Sequence, residues 1–213
     1  MRLLLIRHGE TALNAERRYM GHAPTPLNTT GREQARLVGE RLARLGAAAL
    51  YTSDLPRAAE TAAIIGATAD LTPQPMAGLR EIDVGHWYGL NVAEIAAQHQ
   101  ENYAEYLREP AATVRIGGES YAQLQIRAVA AIAAIAARHQ IGETLLVVSH
   151  GGTIRTLLCH ALGLELRHFQ RLWIDNAAIS ELVLAGTTAD DEWRAMRYND
   201  TAHLDGMALA SGE

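Results

Sequence analysis

Two stretches of unbroken apolar sequence stand out from an otherwise amphipathic chain: Leu3-Leu4-Leu5-Ile6 and, much further along, Leu145-Leu146-Val147-Val148. Apolar residues on consecutive rather than alternate positions predict short strands covered on both faces, as in a parallel sheet. Ala49-Leu50-Tyr51 predicts a third such strand, while residues 179–184 and 193–198 alternate and predict closing strands. Between these runs the period changes to that of a helix. Ala35, Val38, Leu42 and Leu45 recur at helical spacing behind a cap at Thr30 and stop at Gly46. Pro56 opens a helix through Ile65, and further helices are expected at about 92–107 and about 120–140, the second with Tyr121, Leu124, Ala128, Ile132 and Ile135 on one stripe. Alternating strands and helices predict an α/β fold with a sheet covered on both faces. No linker, repeat or low-complexity tract interrupts the 213 residues, so one domain over 1–213 is expected.

The polar residues matter most where the apolar runs end. The first run stops at Arg7-His8-Gly9-Glu10-Thr11 and the other at Ser149-His150-Gly151-Gly152. Open α/β sheets bind ligands at the carboxyl ends of their strands. Taken singly, each His-Gly pair also fits a turn glycine beside a polar residue leaving the core. Two at strand ends, one with an adjoining arginine, point to anion chemistry, and parallel pairing would bring both imidazoles to one edge. Arg57 starts a helix just after the third strand, and a further helix opens behind His150-Gly151-Gly152, so Arg57 and His150 both lie at helix ends that favour anions. The chain contains no lysine, so the choice of arginine says little and its placement carries the inference.

At this point the chain resembles the histidine phosphatase superfamily and its phosphoglycerate mutase-like branch. The opening motif L-x-R-H-G-E-T-x-x-N is matched in full by Leu5-Ile6-Arg7-His8-Gly9-Glu10-Thr11-Ala12-Leu13-Asn14. Further pieces follow in the family's order: Tyr51 to Ala62 with Arg57, Leu79 to Gly89 with Glu81 before Gly85-x-Trp87-x-Gly89, Val148-Ser149-His150-Gly151-Gly152, and Asn199 to Leu204. The resemblance implies a three-layer α/β/α sandwich with a mostly parallel sheet. It also implies His8 as a nucleophile that forms a phosphohistidine, Glu81 as proton donor, and Arg7, Arg57 and a protonated His150 around the phosphoryl group. Asn14, Gly21 and Gly151 join Arg7, Arg57 and His150 in the implied phosphate-binding set. Relatives usually carry aspartate where Pro24 stands, so a loop hydrogen bond at the site rim is expected to be missing or replaced.

Composition narrows the choices. A formal charge of -5 argues against nucleic acid as partner. No apolar stretch is long enough to cross a bilayer, and the opening run lacks the length of a signal peptide, so a cytoplasmic protein without membrane partners is expected. The lone Cys159 fits a reducing compartment and, at helical spacing, a buried thiol. The histidines His8, His22, His86, His150, His160 and His203 form no H-x-x-x-H pair with a carboxylate alongside, so no metal and no cofactor are expected; His99, His139 and His168 read as solvated. Ser149-His150 lacks the flanking glycine of a nucleophile elbow, which argues against a serine hydrolase.

A phosphomonoester hydrolase acting on a small phosphorylated metabolite is the expected activity, with phosphoglycerate mutase as the alternative. Within the family, the mutase branch holds a second acid group with additional arginines and longer inserts after the glutamate, whereas residues 83–90 here run like the phosphatase branch. Retention of Arg7, His8, Arg57, Glu81 and His150 together argues against a non-catalytic binding module. Specificity is expected from the loop 19–26 and from a lid over 86–116 that offers Trp87, Tyr88, Tyr103, Tyr106, Arg108 and Arg115. Nothing in the sequence sets the oligomeric state, for which a homodimer is the commonest form.

Overall fold

The computed structural model describes residues 1–184 and 193–207; the remainder of the expected 1–213 domain lies outside the described residues. In chain order the elements are β1 (Arg2–Arg7), α1 (Ala12–Ala15), α2 (Thr29–Leu42), β2 (Ala49–Thr52), α3 (Pro56–Ala69), β3 (Pro73–Pro75), α4 (Val92–Gln98), α5 (Gln100–Arg108), α6 (Tyr121–Ala136), β4 (Thr144–Ser149), α7 (Gly151–Ala161), β5 (Ile179–Leu184) and β6 (Trp193–Asp200). The six strands form one sheet in the order β3-β2-β4-β1-β5-β6. β3, β2, β4 and β1 run parallel, and β5 joins β1 antiparallel.

Consecutive apolar residues are needed because the sheet has a core on each side. Leu3 and Leu5 point into one cluster with Leu145, Val147 and residues of α6 and α7, while Leu4 and Ile6 point into another with Leu146, Val148 and residues of α2 and α3. That is the expected three-layer sandwich. A third cluster lies above the sheet edge, where Ile82, Val84, Trp87, Ile95, Tyr106, Tyr121, Leu124, Cys159 and Phe169 pack together. Cys159 is buried there, as its spacing implied.

Several boundaries differ from the sequence reading, each for a local reason. Asn28, not Thr30, caps α2, its side chain accepting from the Gly31 amide at 2.7 Å. The single helix expected over 92–107 is two, because His99 leaves helical geometry between α4 and α5 (φ -129, ψ 43). α3 runs past Ile65 to Ala69, where Asp70 adopts a left-handed turn. The short β3, with a proline at each end, has little strand signature in sequence and sits on the sheet edge, where proline is tolerated. His139 is not solvated; it bonds the Tyr51 hydroxyl at 2.9 Å and Glu143 at 2.7 Å.

Candidate active site

β1 and β4 pair in parallel with Arg7 opposite Ser149, so the next residues, His8 and His150, leave the sheet side by side. Their ring centroids are 5.0 Å apart. The backbone here is drawn unusually tight: a Cβ on Gly9 would stand 2.3 Å from the Gly31 carbonyl oxygen, so the loop after β1 lies directly on the first turn of α2.

His8 is almost fully buried. Its Nδ1 lies 2.7 Å from the Gly9 carbonyl oxygen, which can only accept, so Nδ1 carries the proton and Nε2 the lone pair. That lone pair accepts from Arg57 Nε at 3.2 Å. Burial, then Arg57 and Arg7, hold the imidazole well below the ordinary histidine range. It is therefore neutral at pH 7.

His150 contacts the Ser53 hydroxyl through Nε2 at 2.8 Å, while its buried Nδ1 has no partner. Burial, then Arg57, His8 and Arg7, depress its pKa as well. With two guanidiniums beside it the neutral ring is favoured in the empty site; the expectation of a protonated His150 concerns the ring beside a phosphoryl group.

Among the described residues neither guanidinium has an ion pair; Arg57 is fully buried and Arg7 is partly buried, lining a cavity. Arg57 donates to the carbonyls of Gly21 at 2.8 Å and Ala23 at 3.2 Å, and burial lowers its pKa to about 10. Arg7 donates to the Ile174 carbonyl at 2.5 Å and leaves Nε without a partner. Its pKa also falls to about 10, through burial and then through Arg155. Burying cations without counterions is unfavourable unless something else repays it; Arg57 meets the His8 lone pair directly, and both guanidiniums act electrostatically on the two imidazoles.

Glu81 caps α7 from outside. Its carboxylate accepts from the amides of Gly152 at 3.0 Å and Thr153 at 3.2 Å, and of Ile82 at 2.9 Å. A Cβ on Gly152 would stand 2.5 Å from Glu81 Oε1, so only glycine lets the acid reach the helix end. Asn14 gives its carbonyl oxygen to Thr11 at 3.0 Å and Asn176 at 3.3 Å, which leaves its amide end to meet an anion. Gly21 supplies its carbonyl to Arg57, and Gly151 begins α7 beside Arg7. Asn14, Glu81, Gly151 and Arg7 line a cavity of about 200 Å³, with Gly21 at its edge. His8, Arg57 and His150 are buried beside these residues, His8 directly after Arg7 and His150 directly before Gly151, and do not themselves line the cavity.

The structure adds residues that the sequence reading missed. Ser53 follows β2 just as His8 follows β1, so the rule that found the histidines could have found it. Arg127 donates to the carbonyls of Gly78, Arg80 and Glu81 and pairs with Glu119, fixing the loop that carries the acid. Asn176 holds the His8 carbonyl at 3.0 Å. His22 bonds the Glu81 carbonyl at 2.7 Å, so the rim around Pro24 is held by His22 and by the Arg57 contacts to Gly21 and Ala23. Neither Arg127 nor Asn176 has a local signature.

The lid differs from expectation. Trp87 and Arg115 are fully buried and Tyr106 nearly so, in the third core cluster rather than on the cavity wall. Tyr88 and Arg108 are exposed and line neither cavity beside Arg7. Tyr19 from the 19–26 loop does line both.

Comparison with known proteins agrees with this arrangement. The chain is 32% identical over 206 residues to phosphoserine phosphatase 1 of Hydrogenobacter thermophilus, covering 96% of this chain and 94% of that one. It is 34% identical over 215 residues to a probable phosphoglycerate mutase, GpmB, of Salmonella paratyphi C, covering 98% and 97%. The structure of Bacillus stearothermophilus YhfR superposes with a TM-score of 0.87 at 32% identity, covering 96% of this chain and 99% of that chain. The profile of the histidine phosphatase superfamily (branch 1) matches residues 3–201, a span that runs from β1 through β6 and so takes in every residue of the paired-histidine site; the chain belongs to that superfamily.

Proposed function

We propose that this protein hydrolyses small phosphate monoesters through a phosphohistidine formed on His8. The observation that carries the reading is the tautomer of His8: Nδ1–H is fixed on the Gly9 carbonyl, so the lone pair of Nε2 faces Arg57. A phosphate dianion takes over the N–H groups of Arg7 and Arg57, which frees that lone pair to attack phosphorus. The same negative charge offsets the two guanidiniums at His150, which then gains a proton and adds a further donor. Glu81 enters the reaction as the carboxylic acid, gives its proton to the departing alkoxide oxygen, is left as the carboxylate, and regains a proton from the water that attacks the phosphohistidine. The Gly151 amide and the Asn14 side chain complete the anion's contacts.

Hydrolysis is favoured over mutase transfer because the segment after Glu81 carries no arginine-rich insertion, and the lid's Arg115 is stacked within an aromatic cluster. We also read the reaction as metal-independent, since Arg7 and Arg57 supply the positive charge that a metal otherwise would. Prolonged treatment with EDTA should leave turnover intact. The described residues contain no helix long and apolar enough to cross a membrane; together with the single cysteine this supports a cytoplasmic enzyme acting on a dissolved metabolite rather than on nucleic acid. Quenching the enzyme during turnover of p-nitrophenyl phosphate should trap an acid-labile, base-stable adduct on His8. A label on a serine or an aspartate would overturn the mechanism.

A further inference from the structure

The closing motif, Asn199 to Leu204, has no part in the chemistry above and does not line the phosphate cavity. Its first residue nevertheless has an unusual setting. β5 and β6 pair Ile179 with Asp200 and Glu181 with Arg197, so Ser180 alone stands against both Tyr198 and Asn199. Such a bulge re-aims a side chain. Asn199 takes a left-handed φ of 48°, which asparagine tolerates, and its amide reaches the loop ahead of β5. There Oδ1 accepts from the Asp175 backbone N–H and Nδ2 donates to the Asp175 carboxylate, both at 2.7 Å. The N–H can only donate and the carboxylate can only accept, so the amide has one orientation.

The end of β1 rests on that loop. The Ile174 carbonyl takes the Arg7 guanidinium at 2.5 Å, and the Ala177 N–H is shared between the carbonyls of Arg7 at 3.1 Å and His8 at 3.2 Å. Asn176 donates to the His8 carbonyl at 3.0 Å and to Asn14 Oδ1 at 3.3 Å, which leaves the amide end of Asn14 to the anion. One loop thus sets the nucleophile, a guanidinium and an anion-binding amide. Its own backbone is not relaxed: Ala177 has a φ of 59°, unfavourable for a residue with a Cβ, so the loop depends on what holds it from behind. Asn199 holds it at Asp175 and His203 at Ala177. Arg41 can only donate to His203 Nδ1, at 2.9 Å, so Nε2 carries the proton and donates to the Ala177 carbonyl at 3.0 Å.

We infer that Asn199 is a positioning residue: through its paired bonds to Asp175 it holds the 174–177 loop against β1 and so places His8, the Arg7 guanidinium and Asn14 around the phosphoryl group. The inference rests on the phosphatase reading only for the reaction that these groups perform. A misplacement of about 1 Å is enough to cost about a hundredfold in rate, so a loop that shifts without unfolding disables the site.

The test exchanges the two side chains. Asn199→Asp alone sets two carboxylates face to face, and Asp175→Asn alone sets two amide donors face to face. Made together, the substitutions restore the set: the carboxylate at position 199 accepts both the backbone N–H of position 175 and the new amide, whose carbonyl oxygen keeps the Trp173 indole N–H that Asp175 takes at 2.7 Å. On all four proteins kcat for p-nitrophenyl phosphate, the dissociation constant of inorganic phosphate by calorimetry and stability in urea are measured, with activity referred to the folded fraction. Each single variant should lose about tenfold to hundredfold in kcat and bind phosphate about tenfold more weakly. The exchange should bring both quantities to within about threefold of wild type. Single variants that lose stability while keeping kcat and phosphate affinity within about threefold would make Asn199 a structural clamp and overturn the inference, as would an exchange that leaves both defects in place. Phosphate affinity that falls and returns in this pattern, in proteins of which none turns over the ester, would uphold the positioning role and overturn the phosphatase reading instead.

Discussion

Arg57 and Arg115 are both fully buried, and neither forms an ion pair among the described residues, yet their surroundings differ in kind. Arg57 sits at the start of α3 with its Nε on the lone pair of His8 and its pKa depressed by burial. Arg115 lies in the lid between three aromatic faces, 5.2 Å from Trp87, 5.0 Å from Tyr106 and 4.6 Å from Tyr121. Around Arg115 the negative faces of the rings stand in for a counterion, with one N–H on the Glu119 carbonyl at 3.2 Å and Nε and Nη2 without a hydrogen-bond partner. Around Arg57 the nearest partners are a neutral imidazole and two carbonyls, so its charge remains directed at the reacting end of His8. Burial of a guanidinium without a carboxylate thus marks a reacting site where an N–H meets the lone pair of a nucleophile, as at Arg57, and not where the cation is enclosed by aromatic faces, as at Arg115.

Replacing both arginines by alanine tests this contrast most severely. Arg57→Ala should lower kcat/KM for an aryl phosphate by about a hundredfold to a thousandfold, the scale of losing an electrostatic contact to the transferring group. Its stability should change by less than about 1 kcal/mol, because the lost contacts to Gly21 and Ala23 are offset by removing a poorly compensated buried charge. Arg115→Ala should do the reverse. It leaves a void under Trp87 and Tyr106 and removes three cation–π contacts, at about 2–4 kcal/mol of stability, with kcat of the folded fraction within about threefold of wild type. Urea unfolding and steady-state kinetics on the two variants decide the matter. A catalytic defect for Arg115→Ala matching that of Arg57→Ala would erase the distinction.

A smaller effect separates the acid from its scaffold. The close approach of Glu81 to α7 depends on the absent side chain of Gly152. Gly152→Ala should push the carboxylate off the helix amides and slow alkyl phosphates by about tenfold or more relative to p-nitrophenyl phosphate, whose phenolate leaves with little protonation. Equal slowing of both esters would mean that Gly152 serves packing against Tyr121 rather than the placement of the acid.

These contrasts also explain what the sequence made legible. The strand-end rule located His8, Arg7 and His150 because their positions follow from apolar runs and parallel pairing, which are local signals. Glu81 and Arg57 were reached through the resemblance, supported by Pro56 at a helix start. The protonation of His150 could not be read locally, since it depends on two guanidiniums that come from β1 and α3. The lid was misread for a related reason: Trp87, Tyr106 and Arg115 have the composition of a binding surface, and only their mutual stacking shows them to be a core. Arg127 and Asn176 contact the site across long stretches of chain, so no motif announces them.

The smallest expected effect concerns protons, and it sharpens the comparison because Arg57 acts on His8 where Arg115 acts on no histidine. His8 is held well below its ordinary value of 6.5 by burial first and then by Arg57 and Arg7. At pH above about 6.5 the histidine is neutral in both the folded and the unfolded chain, and its contribution to stability is complete. As the pH falls below 6.5 the unfolded chain takes up a proton that the folded one refuses, so stability declines by about 1.4 kcal/mol per pH unit until the folded pKa is reached. His150 behaves the same way. His8→Gln keeps a neutral polar side chain but removes one of the two titrations. Between pH 7 and 5.5 the wild type should therefore lose about 1 kcal/mol more stability than the variant in urea unfolding. Inorganic phosphate should reduce that loss, because its negative charge allows the folded site to accept the proton. Parallel pH dependence of wild type and His8→Gln would show that His8 is not held neutral by its arginines, and the assignment of its lone pair as the nucleophile would fall with it.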